Sequence, residues 1–312
     1  MKEKRLLILS DGKPGHVNQS IAFAKHLGYD FDLSPVSFKF RGAKALSYLL
    51  DWLGFYSASL FSTETLQDDY TAVVSAGSGT YYANRTLAKH VARKSVAIML
   101  PKGYRLDFDL IIAQQHDDPP SLANVVNIPI NLTYVEPQGI VVPQTGEKYI
   151  ALIIGGDSQH SKMNVDQLRE QITKIFDLFP EHKVWMTTSR RTPETVEKML
   201  REFNYDRAVF YSREPINPIP DYLQHSEYVF LTADSSLMIS EAVSFGEASV
   251  EVLLFQYSGW NNKFTRLLRD LVERNCVHLF YDQVGAARQK INLGTQIKEA
   301  FSLFIDCESK SV

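Results

Sequence analysis

The chain has 312 residues, a net charge of −3 and two cysteines, and its basic residues are scattered. That length exceeds one ordinary domain and points to two, while the charge leaves no electrostatic footprint for a nucleic acid. Cys276 and Cys307 form no CxxC pair, which argues against a disulfide scaffold, a zinc site or a redox motif. The first apolar run, Leu6 to Leu9, is too short for a secretory leader, and no segment approaches the roughly 18 to 20 apolar residues of a membrane span, so a cytoplasmic setting is expected.

Arg5 to Ser10 reads as a buried strand, Asp11 to Val17 as a Gly/Pro turn and Asn18 to Leu27 as a helix with Ile21, Phe23, Ala24 and Leu27 inward. In the turn DGKPGH, Gly12 and Gly15 allow tight backbone bends and leave Lys13 and His16 projecting. This is neither a Walker A loop nor a GxGxxG fingerprint, and no dinucleotide site is expected from it. A second strand is predicted at Val36 to Phe40, followed by an unusually apolar helical stretch from Ala43 to Phe61 with Lys39, Arg41 and Lys44 beside it. The same composition suits a core helix or an interfacial patch that touches lipid. Ala72 to Ala76 is the next strand and runs into GSGTYY, with a helix from Tyr82 to Arg93. Val96 to Leu100, Leu110 to Gln114 and Val125 to Ile130 continue the rhythm, the middle one ending in Gln115, His116 and Asp117.

Leu132 to Lys148, with Pro137, Gly139, Pro143 and Gly146, has the composition of a linker, after which the alternation restarts. Tyr149 to Ile154 runs into GGDSQHSKMN and a helix from Val165 to Phe179. Val184 to Thr187 ends in TSRRTP before a helix from Glu194 to Phe203, and Ala208 to Tyr211 precedes SREPINPIPDYL. The stretch from Tyr228 to Gly246 then joins a strand, a turn rich in helix-capping residues and a helix carrying one acid, Glu241. A strand at Val250 to Leu254 and helices near Lys263 to Arg274 and Leu293 to Phe304 follow. Strands alternating with helices imply an α/β fold with parallel sheets, whose functional crevices lie beyond the strand C-termini. The expectation is two Rossmann-like domains, 1–143 and 144–312, facing across a cleft, with the last helix free to pack back on the first.

The turn at Asp234, Ser235 and Ser236 opens a helix, and such a turn after a parallel strand seats a diphosphate on free N–H groups and the helix dipole. Glu241, more than one turn further in, would reach a ribose hydroxyl. Asp107-Phe108-Asp109 matches a DxD metal motif only superficially, because it immediately precedes a strand and belongs at the end of the sheet away from the crevice. No metal ligand is assigned.

DGKPGHVNQS at 11–20, QHD at 115–117, IIGGDS at 153–158, TSRRTP at 188–193, NP at 217–218 and TADSSLMISEA at 232–242 together resemble the mitochondrial-fission "elongated mitochondria" family, which has many bacterial members. The resemblance implies a glycosyltransferase-like GT-B architecture. The central stretch is also similar, more distantly, to the SEA element of the lipid-linked peptidoglycan N-acetylglucosaminyltransferase, and GGDSQ to that enzyme's GGSQG loop. Asp157 is an insertion there, and the second glycine cluster is missing.

On that architecture the expectation is a transferase moving a sugar from a nucleotide-sugar donor to a lipid-linked or envelope glycan, with helix ends and arginines in place of a metal and no cofactor beyond the donor. Gly155, Gly156, Ser158, Arg190, Arg191, Asp234, Ser235, Ser236 and Glu241 would hold the donor. Gly12, Lys13, Gly15 and Gly77 would form the acceptor loops. His16 is the candidate base, with His116 and Asp117 as a second candidate in which Asp117 orients an imidazole. The acceptor would bring the protein to the inner face of the cytoplasmic membrane through the Lys39 to Phe61 region. The alternatives are a non-enzymatic adaptor on the same platform and a nucleotide-sugar epimerase or hydrolase.

Overall fold

The computed structural model describes residues 4–64, 69–90, 93–158, 162–255 and 262–306. Gln159 of the GGDSQ motif and Cys307 lie outside them. The chain divides into two compact units, Met1–Tyr134 with Asn292–Val312, and Val135–Ile291.

Unit 1 runs through β1 (Arg5–Ser10), α1 (Pro14–Leu27), β2 (Asp30–Pro35), β3 (Ser37–Phe38), α2 (Ala43–Leu53), β4 (Phe61–Ser62), β5 (Ala72–Ala76), α3 (Tyr81–His90), β6 (Lys94–Ile98), β7 (Leu110–Gln114) and β8 (Val125–Ile128). Six of these strands form one sheet in the order β2-β1-β5-β6-β7-β8, every neighbouring pair parallel. Chain order reverses at β1, which lies between β2 and β5. The crevice at such a reversal is where open α/β sheets bind ligands, and here it falls at the loops after β1 and β5.

Three expectations need correcting in this unit. Helix α1 begins at Pro14, inside the expected Asp11–Val17 turn, because a proline fits a helix's first turn. The second strand of the main sheet is Asp30–Pro35, whereas Ser37–Phe38 only pairs antiparallel with Phe61–Ser62. An edge strand needs no apolar run, and its polar groups are matched: Asp32 accepts from Arg5 and Tyr70, and Ser34 shares a hydrogen bond with Thr63. The helix expected to reach Phe61 stops at Leu53. Gly54 takes the left-handed conformation at φ 79°, and its N–H and that of Phe55 close onto the carbonyls of Asp51 and Leu50.

Unit 2 contains β9 (Tyr149–Ile154), α4 (Val165–Leu178), β10 (Lys183–Thr188), α5 (Glu194–Leu200), β11 (Arg207–Val209), α6 (Ile219–His225), β12 (Tyr228–Thr232), α7 (Ser236–Ser244), β13 (Ser249–Leu253), α8 (Lys263–Glu273) and β14 (His278–Phe280). Its sheet order, β11-β10-β9-β12-β13-β14, is again wholly parallel. This is the doubly wound 3-2-1-4-5-6 arrangement, with its reversal between β9 and β12. All six residues of β9 are buried, as a central parallel strand requires. On one face of the sheet Trp185 stacks between Tyr149 and Tyr222 at ring separations of 4.1 and 5.3 Å.

The chain passes from one unit to the next at Tyr134/Val135, earlier than the 143/144 boundary expected from composition. Asp221 of α6 supplies the reason. Its carboxylate accepts the backbone N–H groups of Gln138, Gly139, Ile140 and Val141 at 2.7–3.1 Å, which fastens that segment to unit 2. Burial alone would raise this carboxyl's pKa, but the four backbone bonds outweigh it and hold the pKa below its ordinary value. After unit 2 the chain returns to unit 1 as α9 (Gly294–Asp306), where Phe301 packs edge-on against Phe23 and Tyr29.

Candidate functional site

In unit 2 the loops after β9, β10 and β12 converge at the sheet reversal. The Gly155 N–H donates to Thr232 Oγ1 at 2.7 Å and the Gly156 N–H to Asp234 Oδ2 at 3.1 Å, while Thr232 Oγ1 donates to Asp234 Oδ1 at 2.6 Å. Arg191 closes the arrangement, giving one N–H to Asp234 Oδ2 at 2.7 Å and another to the Asp157 carbonyl at 3.1 Å. Both glycines are required by proximity. A Cβ on Gly155 would lie 2.0 Å from Asp234 Oδ1, and one on Gly156 would lie 2.1 Å from the Arg191 carbonyl oxygen. The Asp234 side chain is only 1% exposed, and its burial pushes its pKa up against the pull of Thr232, Gly156 and Arg191.

Of the residues expected to hold a donor, Gly155, Gly156, Asp234 and one edge of Arg191 are thus engaged in building the loop. The inserted Asp157 is structural too, its carboxylate accepting the Met163 N–H at 2.9 Å. At the start of α7, the Ser235 hydroxyl accepts the Met238 N–H. The N–H groups of Ser236 and Leu237 have no protein acceptor among the described residues. Arg190 is exposed and makes no ion pair there. Ser158, on the β9 loop, is partly buried. Glu241 lies further along α7 with no hydrogen bond to its carboxylate among the described residues, and burial pushes its pKa from 4.5 to about 7. Among the described residues on these loops, the helix start and Arg190 are thus the anion-seeking groups not engaged in building them, and Glu241 lies further along the same helix.

In unit 1 the loops after β1 and β5 meet at the other reversal. Asp11 Oδ2 lies 2.9 Å from His16 Nδ1, Asp11 Oδ1 accepts the Lys13 N–H at 3.2 Å, and Lys13 Nζ is 3.7 Å from Asp11 Oδ2. Gly12 at φ 77° makes the bend that places Asp11 and His16 together, and Gly15 sits in the first turn of α1. Gly77, at φ 86°, leaves room for the imidazole, since a Cβ there would fall 2.3 Å from His16 Nδ1. Gly79 does the same for Asp11, its Cβ position lying 3.0 Å from the Asp11 Cβ. With Nδ1 committed to a carboxylate, the neutral imidazole has its lone pair on Nε2, the arrangement of an oriented general base.

His116 and Asp117 lie in the turn after β7, at the C-terminal end of the sheet but beyond β5 and β6 from the reversal. Asp117 pairs with Lys102 at 3.1 Å, so the carboxylate that meets the candidate base is Asp11. Sequence reasoning missed Asp11 because it took the contiguous pair His116-Asp117 for the partnership. The signal was Asp11 and His16 flanking a tight glycine turn. Asp107 and Asp109, the superficial metal motif, are bound to Arg85 and Arg105 and to Ser95 respectively.

A family model for Mitochondrial fission ELM1 matches residues 14–299, taking in every loop just described except the start of the β1 turn. The chain belongs to the Mitochondrial fission ELM1 family. A curated relative, an uncharacterized protein of Rickettsia prowazekii, is 23% identical over 328 residues, covering 89% of this chain and 90% of its own. Among solved structures, this member of the ELM1 family is similar to a UDP-N-acetylglucosamine 2-epimerase of Listeria monocytogenes (TM-score 0.52, 11% identity, 99% of this chain and 91% of that one). It is also similar to Arabidopsis thaliana UGT89C1 complexed with UDP-L-rhamnose (TM-score 0.51, 10% identity, 96% and 89%) and to a UDP-glucosyltransferase of Polygonum tinctorium (TM-score 0.51, 11% identity, 98% and 94%). The ELM1 chain therefore has the GT-B-like fold shared by glycosyltransferases and nucleotide-sugar epimerases.

Proposed function

We propose that the protein is a glycosyltransferase that takes its sugar from a nucleotide-sugar donor held by unit 2 and passes it to a hydroxyl of a lipid-linked or envelope glycan. The observation that carries this reading is Glu241. Among the described residues its carboxyl has no partner, and it is set on the helix whose first-turn N–H groups find no acceptor there, at a doubly wound sheet's reversal. Those N–H groups and Arg190 suit a diphosphate, and Glu241 suits the hydroxyls of a ribose. Relatives of the fold whose structures hold UDP or UDP-L-rhamnose support a nucleotide-sugar ligand.

Transfer forms a bond between the acceptor oxygen and the sugar's anomeric carbon and breaks the bond from that carbon to the diphosphate. On unit 1, His16 Nε2 is the group suited to take an acceptor proton, with Asp11 stabilising the imidazolium that results. The departing nucleoside diphosphate gains charge, which the start of α7 and Arg190 offset in place of a metal cation.

A thermal-shift screen with UDP, GDP, ADP, CMP and dTDP sugars tests the reading. A bound donor at about 100 times its dissociation constant stabilises the fold by about 2.7 kcal/mol, and Glu241→Ala should weaken its binding by about 1–3 kcal/mol. No shift with any donor would leave the adaptor reading, and turnover without an acceptor would assign an epimerase or hydrolase.

A further inference from the structure

Helix α2 packs Tyr48 and Leu50 against the unit 1 core but keeps polar groups at two of its three most buried positions. Those positions, Ala43, Ser47 and Asp51, recur every fourth residue. Ser47 Oγ shares a hydrogen bond with the Tyr104 hydroxyl at 2.9 Å. Asp51 accepts from Arg85 at 2.7 Å, from the Tyr56 hydroxyl at 3.1 Å and from the Arg105 N–H at 2.8 Å. The face turned to solvent carries Leu46, Leu49, Trp52 and Leu53, with Phe40 before the helix and Phe55 after it. Trp52 is 72% exposed and Phe55 65%. Scattered exposed apolar residues are ordinary, but six large ones on one short segment, outward from a helix pinned by polar bonds, form an interaction surface.

The charge around this surface selects its occupant. Between Val36 and Leu60 the charged residues are Lys39, Arg41, Lys44 and Asp51. The three cations are exposed, whereas Asp51 is buried against Arg85. Lys39 and Lys44 touch only neutral oxygens, those of Ala58 and Ser78, so their charge is not cancelled. Asp107, on the segment packed against the end of the helix, is paired with Arg85 and Arg105. The outward charge of the segment is thus wholly positive on a chain whose net charge is −3. A second copy of the chain would set these cations against themselves in an isologous contact. An anionic bilayer matches both the apolar face and the charge, and tryptophan suits the headgroup boundary.

We infer that the outward face of α2, with Phe40 and Phe55 at its ends and Lys39, Arg41 and Lys44 beside it, docks the protein on an anionic membrane surface. The helix lies flat at the headgroup boundary, its apolar side chains among the first acyl carbons and the three cations among the phosphates. The surface stands apart from nucleotide binding, which resides in unit 2, and it is what assigns a lipid-linked class to the proposed acceptor.

Co-sedimentation of the full-length protein with phosphatidylglycerol-containing vesicles, compared with phosphatidylcholine alone, tests the inference. Binding is expected to the anionic vesicles at low salt and to weaken several-fold at high salt. Leu49→Gln with Trp52→Gln should abolish it. Lys39→Glu, Arg41→Glu and Lys44→Glu should each reduce it by about fivefold or more. Unchanged melting temperatures would show that these outward substitutions leave the fold intact. Absence of binding to anionic vesicles at low salt would overturn the inference. So would a self-association seen by sedimentation velocity that Trp52→Gln disperses while vesicle binding persists. Nucleotide binding that survives either result would leave the donor reading standing without its lipid-linked acceptor.

Discussion

The two sheet reversals are built alike and equipped differently. Each brings a carboxylate, Asp11 in unit 1 and Asp234 in unit 2, close against a glycine, Gly79 and Gly155 respectively. In unit 2 the carboxylate holds a backbone N–H, a hydroxyl and a guanidinium, and little of it reaches solvent. In unit 1 it holds the Nδ1 edge of an imidazole. One acid ties loops together and the other is paired with a ring, and the difference lies in their partners rather than in residue type.

The sharpest test of that contrast exchanges each acid for its amide. Asp11→Asn should slow sugar transfer about a hundredfold or more by losing the oriented imidazole, while changing stability by about 1 kcal/mol or less. Asp234→Asn should do the reverse, costing about 2–3 kcal/mol in chemical denaturation because both carboxylate oxygens accept, from Arg191, the Gly156 N–H and Thr232, and an amide sets a donor against one of these groups. Equal stability losses in the two variants would break the comparison.

Glycine substitutions sharpen it at a smaller scale. Gly156→Ala drives a Cβ into the Arg191 backbone, which cannot rotate away, and should cost about 3 kcal/mol in thermal unfolding. Gly77→Ala meets a ring instead, so the cost is divided between strain at φ 86° and displacement of His16. About 1–2 kcal/mol of lost stability is expected, together with lost transfer activity.

The smallest effect concerns Glu241. Its folded pKa of about 7 lies above the ordinary 4.5, so the folded protein holds a proton that the unfolded chain has released. The resulting stabilisation is full below about pH 4.5 and is lost as pH rises through about 7. Glu241→Gln should therefore be more stable than the parent above that range and no more stable below it. Nucleotide affinity in the parent should rise with pH across the same interval, as the carboxylate becomes the better acceptor for ribose hydroxyls. Calorimetry across the interval that shows a flat affinity would count against the ribose role.

The glycine turns were legible in the sequence because β-rich apolar runs ended in DGKPGH, GSGT, GGDS and TADSS, and a parallel sheet gathers such turns at one edge. Asp30–Pro35 was illegible for the opposite reason, since an edge strand with polar residues matched by Arg5, Tyr70 and Thr63 lacks an apolar signature. Helix α6 was hidden in a proline-rich segment, yet a proline in the first turn of a helix fits its geometry. The engagement of Gly155, Gly156 and Asp234 with one another could not be read either. It depends on loops that are distant in the chain, whereas capping and turn chemistry are local.

The return of α9 to unit 1 bears on how the protein is made. Unit 2 is complete once Ile291 has left the ribosome, but Phe23 and Tyr29 still lack the ring of Phe301 that covers them. During synthesis the interior unit can finish first, and the flanking one must wait, with its first helix uncovered, for a segment made much later. Nascent chains stalled just after Ile291 should accordingly show a protease-resistant unit 2 beside a unit 1 that is still readily cleaved.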